Sequence, residues 1–180
     1  MLEAVEPDAA GRPVDNPTFR HFLEEAALWR RAKVSASDVV EAAVQALLAG
    51  IESVSFVLIA GLGKAEAESE LGELLPAALD ELGLDCLGYG DPNNDVLAAA
   101  AMTRSYLDGH LKPQQLTQAI HQTFGHTCHP LVEELSCLDD SFDTLDYTPN
   151  PTREQLVRKT HIAATNLRDK ADQIYSEAQS

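Results

Sequence analysis

Only one run of this chain, Val54-Ser55-Phe56-Val57-Leu58-Ile59-Ala60, has the β-branched density of a buried strand. A strand needs a neighbour, because its backbone N–H and C=O groups must find partners once they leave water. No second run of this kind exists to pair with it. The segment is therefore predicted to be a short buried helix, ended by Gly61, and the chain to hold no sheet. The apolar content agrees: hydrophobic residues make up 44% of the chain but aromatics only 6%. The balance is largely Ala and Leu, which favour helices. At 180 residues the chain is long enough for one domain with a sizeable core.

Helix starts and stops divide the rest. Residues 1–15 carry Pro7, Gly11 and Pro13 with little to bury, and are expected to be a flexible leader to a single helical domain, 16–180. Asn16-Pro17 opens a helix running to about Lys33. Ser35 or Ser37 caps a second, which Gly50 stops. Lys64–Leu82 forms another, with a kink or break expected at Pro76. Asn93 or Asn94 caps one that Gly109 closes, and Pro113 opens one that ends at Gly125. His129-Pro130 starts a short helix through Leu138, followed by an acidic loop over 139–151. Thr152 and Gln155 form a capping box for a long final helix. The expected fold is all-α, an irregular single-domain bundle of about seven or eight helices.

Charge narrows the partners. The 29 Asp and Glu against 13 Lys and Arg give a net charge of −16. From Pro113 to Thr152 there is no Lys or Arg at all. Phosphate backbones and anionic membranes both call for clustered cations, so neither is expected as a partner. No apolar run approaches the length of a membrane span, and the N-terminus lacks the apolar core of a secretory signal. The three cysteines, Cys86, Cys128 and Cys137, form no CxxC pair and suit a reducing, cytoplasmic setting.

Two catalytic patterns fail on inspection. Gly61-Leu62-Gly63-Lys64 imitates a phosphate loop, but Leu58 stands where its first glycine belongs and Ala65 where its hydroxyl belongs. Cys128 lies between two histidines, yet chain neighbours seldom meet the geometry of an activated thiolate, and no oxyanion element is visible. No catalytic residue is assigned. A metal site is the stronger alternative. His121, His126, Cys128 and His129 offer imidazole and thiolate ligands for zinc or another divalent transition metal. Gly125 and Pro130 interrupt a single helical face, so a turn would have to gather these groups, with Asp140 or Cys137 as further ligands.

The run from Leu138 to Tyr147 interleaves acids with aromatics. Asp139, Asp140, Asp143 and Asp146 would steer a basic protein partner, while Phe142 and Tyr147 would anchor it. The leading expectation is thus an acidic protein-binding module, of which an immunity or inhibitor protein filling the cationic cleft of a nuclease-like toxin is one form. No cofactor is needed for that role. The metal-binding protein or metal-dependent enzyme stands second. A homo-oligomeric scaffold built through the C-terminal helix, with its narrow stripe Leu156, Ala163, Leu167, Ala171 and Ile174, stands third.

Overall fold

A computed structural model describes residues 16–51, 53–84, 91–126, 129–148 and 150–177. The expected leader, Cys86 and Cys128 lie outside these residues. Among them are eight α-helices and no strand. They are α1 (Pro17–Arg30), α2 (Ala36–Leu48), α3 (Val54–Ala60), α4 (Lys64–Glu81), α5 (Asn93–Leu107), α6 (Pro113–Phe124), α7 (Pro130–Asp143) and α8 (Arg153–Glu177).

Local chemistry explains the boundaries. Asn16 caps α1 by accepting from the Thr18 N–H at 2.9 Å, with Pro17 in the first turn. The helix stops at Arg30, short of the expected Lys33, because Ala32 takes a left-handed φ of 54° and reverses the chain. Ser35 and Asp38 form the cap of α2, where the Asp38 carboxylate accepts from both the Ser35 N–H and its hydroxyl. Those two bonds hold the Asp38 carboxyl below its ordinary value. Gly50 then turns at φ 90° and lets Ile51 N–H reach the Ala46 carbonyl. Thr152 and Gln155 make the reciprocal cap expected before α8. Asn93 and Asn94 do not cap α5: both lie inside it, and the Asp91 carboxylate accepts the Asn93 N–H instead. Pro76 sits within α4, which continues through it.

Val54–Ala60 is a helix, as the missing strand partner requires. It is only half buried, however. Phe56 and Ile59 turn inward while Val54, Val57 and Leu58 face solvent. Phe56 meets Phe22 edge-on at 4.5 Å, and Phe22 stacks on Phe19 at 6.0 Å, which locks α3 to α1.

All eight helices contribute to one hydrophobic cluster. Within it α1, α2, α3 and α4 pack mainly on one another, as do α5, α6, α7 and α8. Helix α1 bridges the two groups through α5. That seam is unusually polar. Arg30 donates to Asn94 at 2.7 Å, Arg31 pairs with Asp95, and Arg104 pairs with Glu24. The apolar stripe of α8, from Leu156 to Tyr175, is buried against helices of its own chain, mainly α5 and α7. Among the described residues no helix is long and apolar enough to cross a membrane.

Candidate functional site

The site grows from the α6–α7 hairpin. On α6, Thr117 and His121 are four residues apart and therefore share a face. Gly125 ends that helix at φ 64°, a conformation that frees the chain to turn back. His126 stands in the turn. His129 then caps α7 through its ring, with Nδ1 accepting the Leu131 N–H at 3.2 Å. Helix α7 runs on to Asp143, so Glu133, Cys137 and Asp140 follow at helical spacing along its face toward the turn.

The hairpin brings these groups together. His121 Nδ1 lies 3.0 Å from Asp139 Oδ2 and 3.6 Å from Asp140 Oδ1. His126 Nδ1 lies 3.0 Å from Glu133 Oε1, and its Nε2 lies 3.2 Å from Asp140 Oδ2. The two imidazole rings meet edge-on with centroids 4.5 Å apart. Cys137 Sγ is 3.5 Å from Glu133 Oε1. Asp139 is buried, and its other oxygen accepts from the Thr117 hydroxyl at 3.2 Å. The ordered chain is thus Thr117, Asp139, His121, then the more open His126, Asp140, Glu133 and Cys137.

Electrostatics follow from this packing. The hydrogen bond to Glu133, reinforced by the charge of Asp140, raises the pKa of His126 above the ordinary imidazole value. Both of its ring nitrogens face a carboxylate, which is the arrangement that stabilises an imidazolium. Burial and the neighbouring Glu133 push the Cys137 thiol up, so it stays protonated at neutral pH without a metal.

Ligand atoms of His121, His126 and Asp140 all fall within 4.8 Å of one another, as do those of His126, Glu133 and Cys137. Tetrahedral zinc at ~2.0–2.1 Å from its ligands sets those ligands about 3.3–3.4 Å apart. The 3.2 Å between Asp140 Oδ2 and His126 Nε2 is close to that span, whereas His121 would ligate through Nε2, because its Nδ1 faces Asp139 at 3.0 Å.

The expected residues divide accordingly. His121 and His126 come together, joined by Asp140 and Cys137. His129 is used as a helix cap, and Cys128 lies outside the described residues. The acidic loop over 139–151 needs correction: Asp139, Asp140, Phe142 and Asp143 are in α7. Asp139 and Phe142 are also buried, so they are not surface contacts for a partner. Helical spacing turns both inward, Asp139 to His121 and Phe142 to the core. Asp140, Asp143, Asp146 and Tyr147 remain exposed. Glu133 was missed as a site residue, although its spacing of four and seven from Cys137 and Asp140 is legible once α7 is extended past Leu138.

Among the described residues the fold and site are eight helices with a histidine–carboxylate cluster on one hairpin. No family model matches the chain, and neither a curated protein nor a solved structure resembles it.

Proposed function

We propose that the protein binds a divalent transition metal, with zinc the best chemical match, at the α6–α7 hairpin. One observation carries this reading: two imidazoles and a carboxylate converge within 4.8 Å, beside a buried carboxylate that fixes one of the rings. Asp139 accepts the Nδ1–H of His121, which directs Nε2 to the ion, and Thr117 in turn holds Asp139. Such outer carboxylates set the tautomer and basicity of ligating histidines. His121, His126 and Asp140 would bind the ion, with Glu133 and Cys137 as the alternative donors around His126. A thiol ligand suits the reducing, cytoplasmic setting expected for this chain. The net charge of −16 draws cations toward the site.

Calorimetric titration of untagged, chelator-treated protein with zinc tests this. One ion per chain is expected. His126→Ala removes the residue common to both ligand sets and is expected to weaken binding at least ~10-fold, while Asp139→Asn weakens it about 10–100-fold by loosening His121. Zinc uptake that is undiminished in the His121→Ala/His126→Ala double variant would sink the proposal. Cobalt substitution adds a second readout: a sulfur-to-metal charge-transfer band that is lost in Cys137→Ser places Cys137 in the ligand set.

A second reading keeps the basic protein partner, including an inhibitor role. It is favoured by Tyr147, 86% exposed beside the exposed Asp143 and Asp146 in a region free of Lys and Arg. Asp143→Asn/Asp146→Asn/Tyr147→Ala is then expected to abolish salt-sensitive capture of a basic protein while leaving zinc binding intact. Capture that survives the triple variant would remove this surface from consideration.

A further inference from the structure

Helix α3 faces solvent with apolar side chains. Val54, Val57 and Leu58 stand at helical spacing on one side of it and are 74, 55 and 53% exposed, while Phe56 and Ile59 fill the core on the other. Leu48, 78% exposed, ends α2, which packs against α3. The fold itself does not call for this pattern. None of the four residues belongs to the hydrophobic cluster, and valine is a weaker helix former than lysine or glutamate. Apolar side chains scattered singly need no explanation, whereas a group of them on one face marks a contact surface.

The surroundings of this face are acidic. Residues 36–84 hold nine Asp and Glu against one base, Lys64, which is exposed beyond the end of α3. Two of the carboxylates are fixed at the two ends of the helix. In its first turn the Ser55 N–H and hydroxyl donate to Glu81 at 3.0 and 2.6 Å, and just past its end the Gly63 N–H donates to Glu66 at 2.9 Å. Both glutamates are exposed, and neither pairs with a cation among the described residues. On α2, Gln45 donates to Glu41 at 2.9 Å, and both share the exposed face that Leu48 continues.

Apolar centre and acidic ends together select the occupant. A second copy would bring the same carboxylates against themselves, and an anionic membrane would meet them with like charge. We propose that the α2–α3 face docks a basic amphipathic helix of a partner protein, with its apolar stripe on Leu48, Val54, Val57 and Leu58 and its lysines or arginines at Glu66 and Glu81. Such a helix presents its anchors at i, i+3, i+4 and i+7, and the flanking charges fix its register and speed its encounter. The surface shares no residue with the histidine cluster or with Asp143, Asp146 and Tyr147.

The probe is a synthetic amphipathic helix of leucine and lysine, with a twin carrying glutamate for lysine. Chemical-shift titration of the full chain is expected to place the lysine peptide on α2, α3 and the adjoining ends of α4, and to find the glutamate twin at least ~10-fold weaker. Val57→Ser/Leu58→Ser removes two exposed side chains, so helical content should stay unchanged while the lysine peptide weakens about tenfold. Glu66→Gln/Glu81→Gln keeps an acceptor oxygen for each cap and should weaken it about threefold at low salt, a difference that high salt erases. Equal binding of the twins, shifts centred on α7 instead, or an affinity indifferent to the Val57/Leu58 variant each overturns the proposal. So does a free chain that sediments as a dimer and is dissociated by the same variant, because a second copy would then occupy the face. Zinc uptake should be the same in every variant, which keeps this test separate from that of the hairpin site.

Discussion

Zinc affinity is expected to fall about 10–100-fold between pH 8 and pH 6. Both imidazoles must be neutral to ligate, and His126 resists losing its proton because Glu133 and Asp140 stabilise the charged ring. Below the pKa of His126 each pH unit adds about tenfold competition from one proton. The sign for the metal-free chain is opposite. A histidine with a raised folded pKa contributes stability that is complete below its unfolded value of about 6.5 and is lost as pH rises through the folded value. The imidazolium faces both carboxylates at low pH, and on the proposed metal-binding reading an ion would take its place as pH rises. Calorimetry in two buffers of different ionisation enthalpy measures the protons released. Affinity that is flat across this range, with no proton release, would show that His126 is not a ligand.

This coupling depends on an arrangement only partly legible in the sequence. The helical character of Val54–Ala60 followed from backbone accounting, since a lone strand has nowhere to place its hydrogen bonds. Caps such as Asn16-Pro17 and Thr152/Gln155 were readable because one side chain meets one orphan N–H at a fixed offset. The end of α7 was misread because Asp139, Asp140, Ser141 and Asp143 resemble a loop by composition. In fact Leu135, Leu138 and Phe142 continue an inward stripe at spacings of three and four, and burial of that stripe outweighs the weak helix propensity of the acids.

That single boundary changed the meaning of the site. With α7 ended at Leu138, four aspartates look equivalent and exposed. With it extended to Asp143, Asp139 turns inward to His121 and Asp140 points toward both histidines. Which of the candidate histidines meet depends on the turn at Gly125, a tertiary fact with no periodic signature. Pro130, which cannot donate, marks His129 as a helix boundary in the sequence, but the use of the His129 ring as the cap rather than as a candidate ligand does not follow from it.

The seam between the two helix groups yields the last expectation. Arg104→Met is expected to destabilise the protein by about 2–3 kcal/mol at neutral pH. Breaking a fully buried pair costs about 3–5 kcal/mol, and the discount reflects the water already around the outer part of Arg104. The loss should shrink on acidification. Burial raises the folded pKa of Glu24 above its ordinary value, so this group withdraws stability as pH climbs from the unfolded value through the folded one. Without Arg104 the folded value rises further, because a lowering influence is gone. At pH 5 more of the variant therefore carries a neutral Glu24, which needs no counter-ion. Urea unfolding of parent and variant at pH 7 and pH 5 reads both numbers. Glu24→Gln added to Arg104→Met should recover most of the neutral-pH loss, since an uncharged amide replaces the stranded carboxylate. An equal cost at both pH values, or no recovery in the double variant, would mean that Arg104 acts through packing of its aliphatic stem rather than through the buried charge it covers.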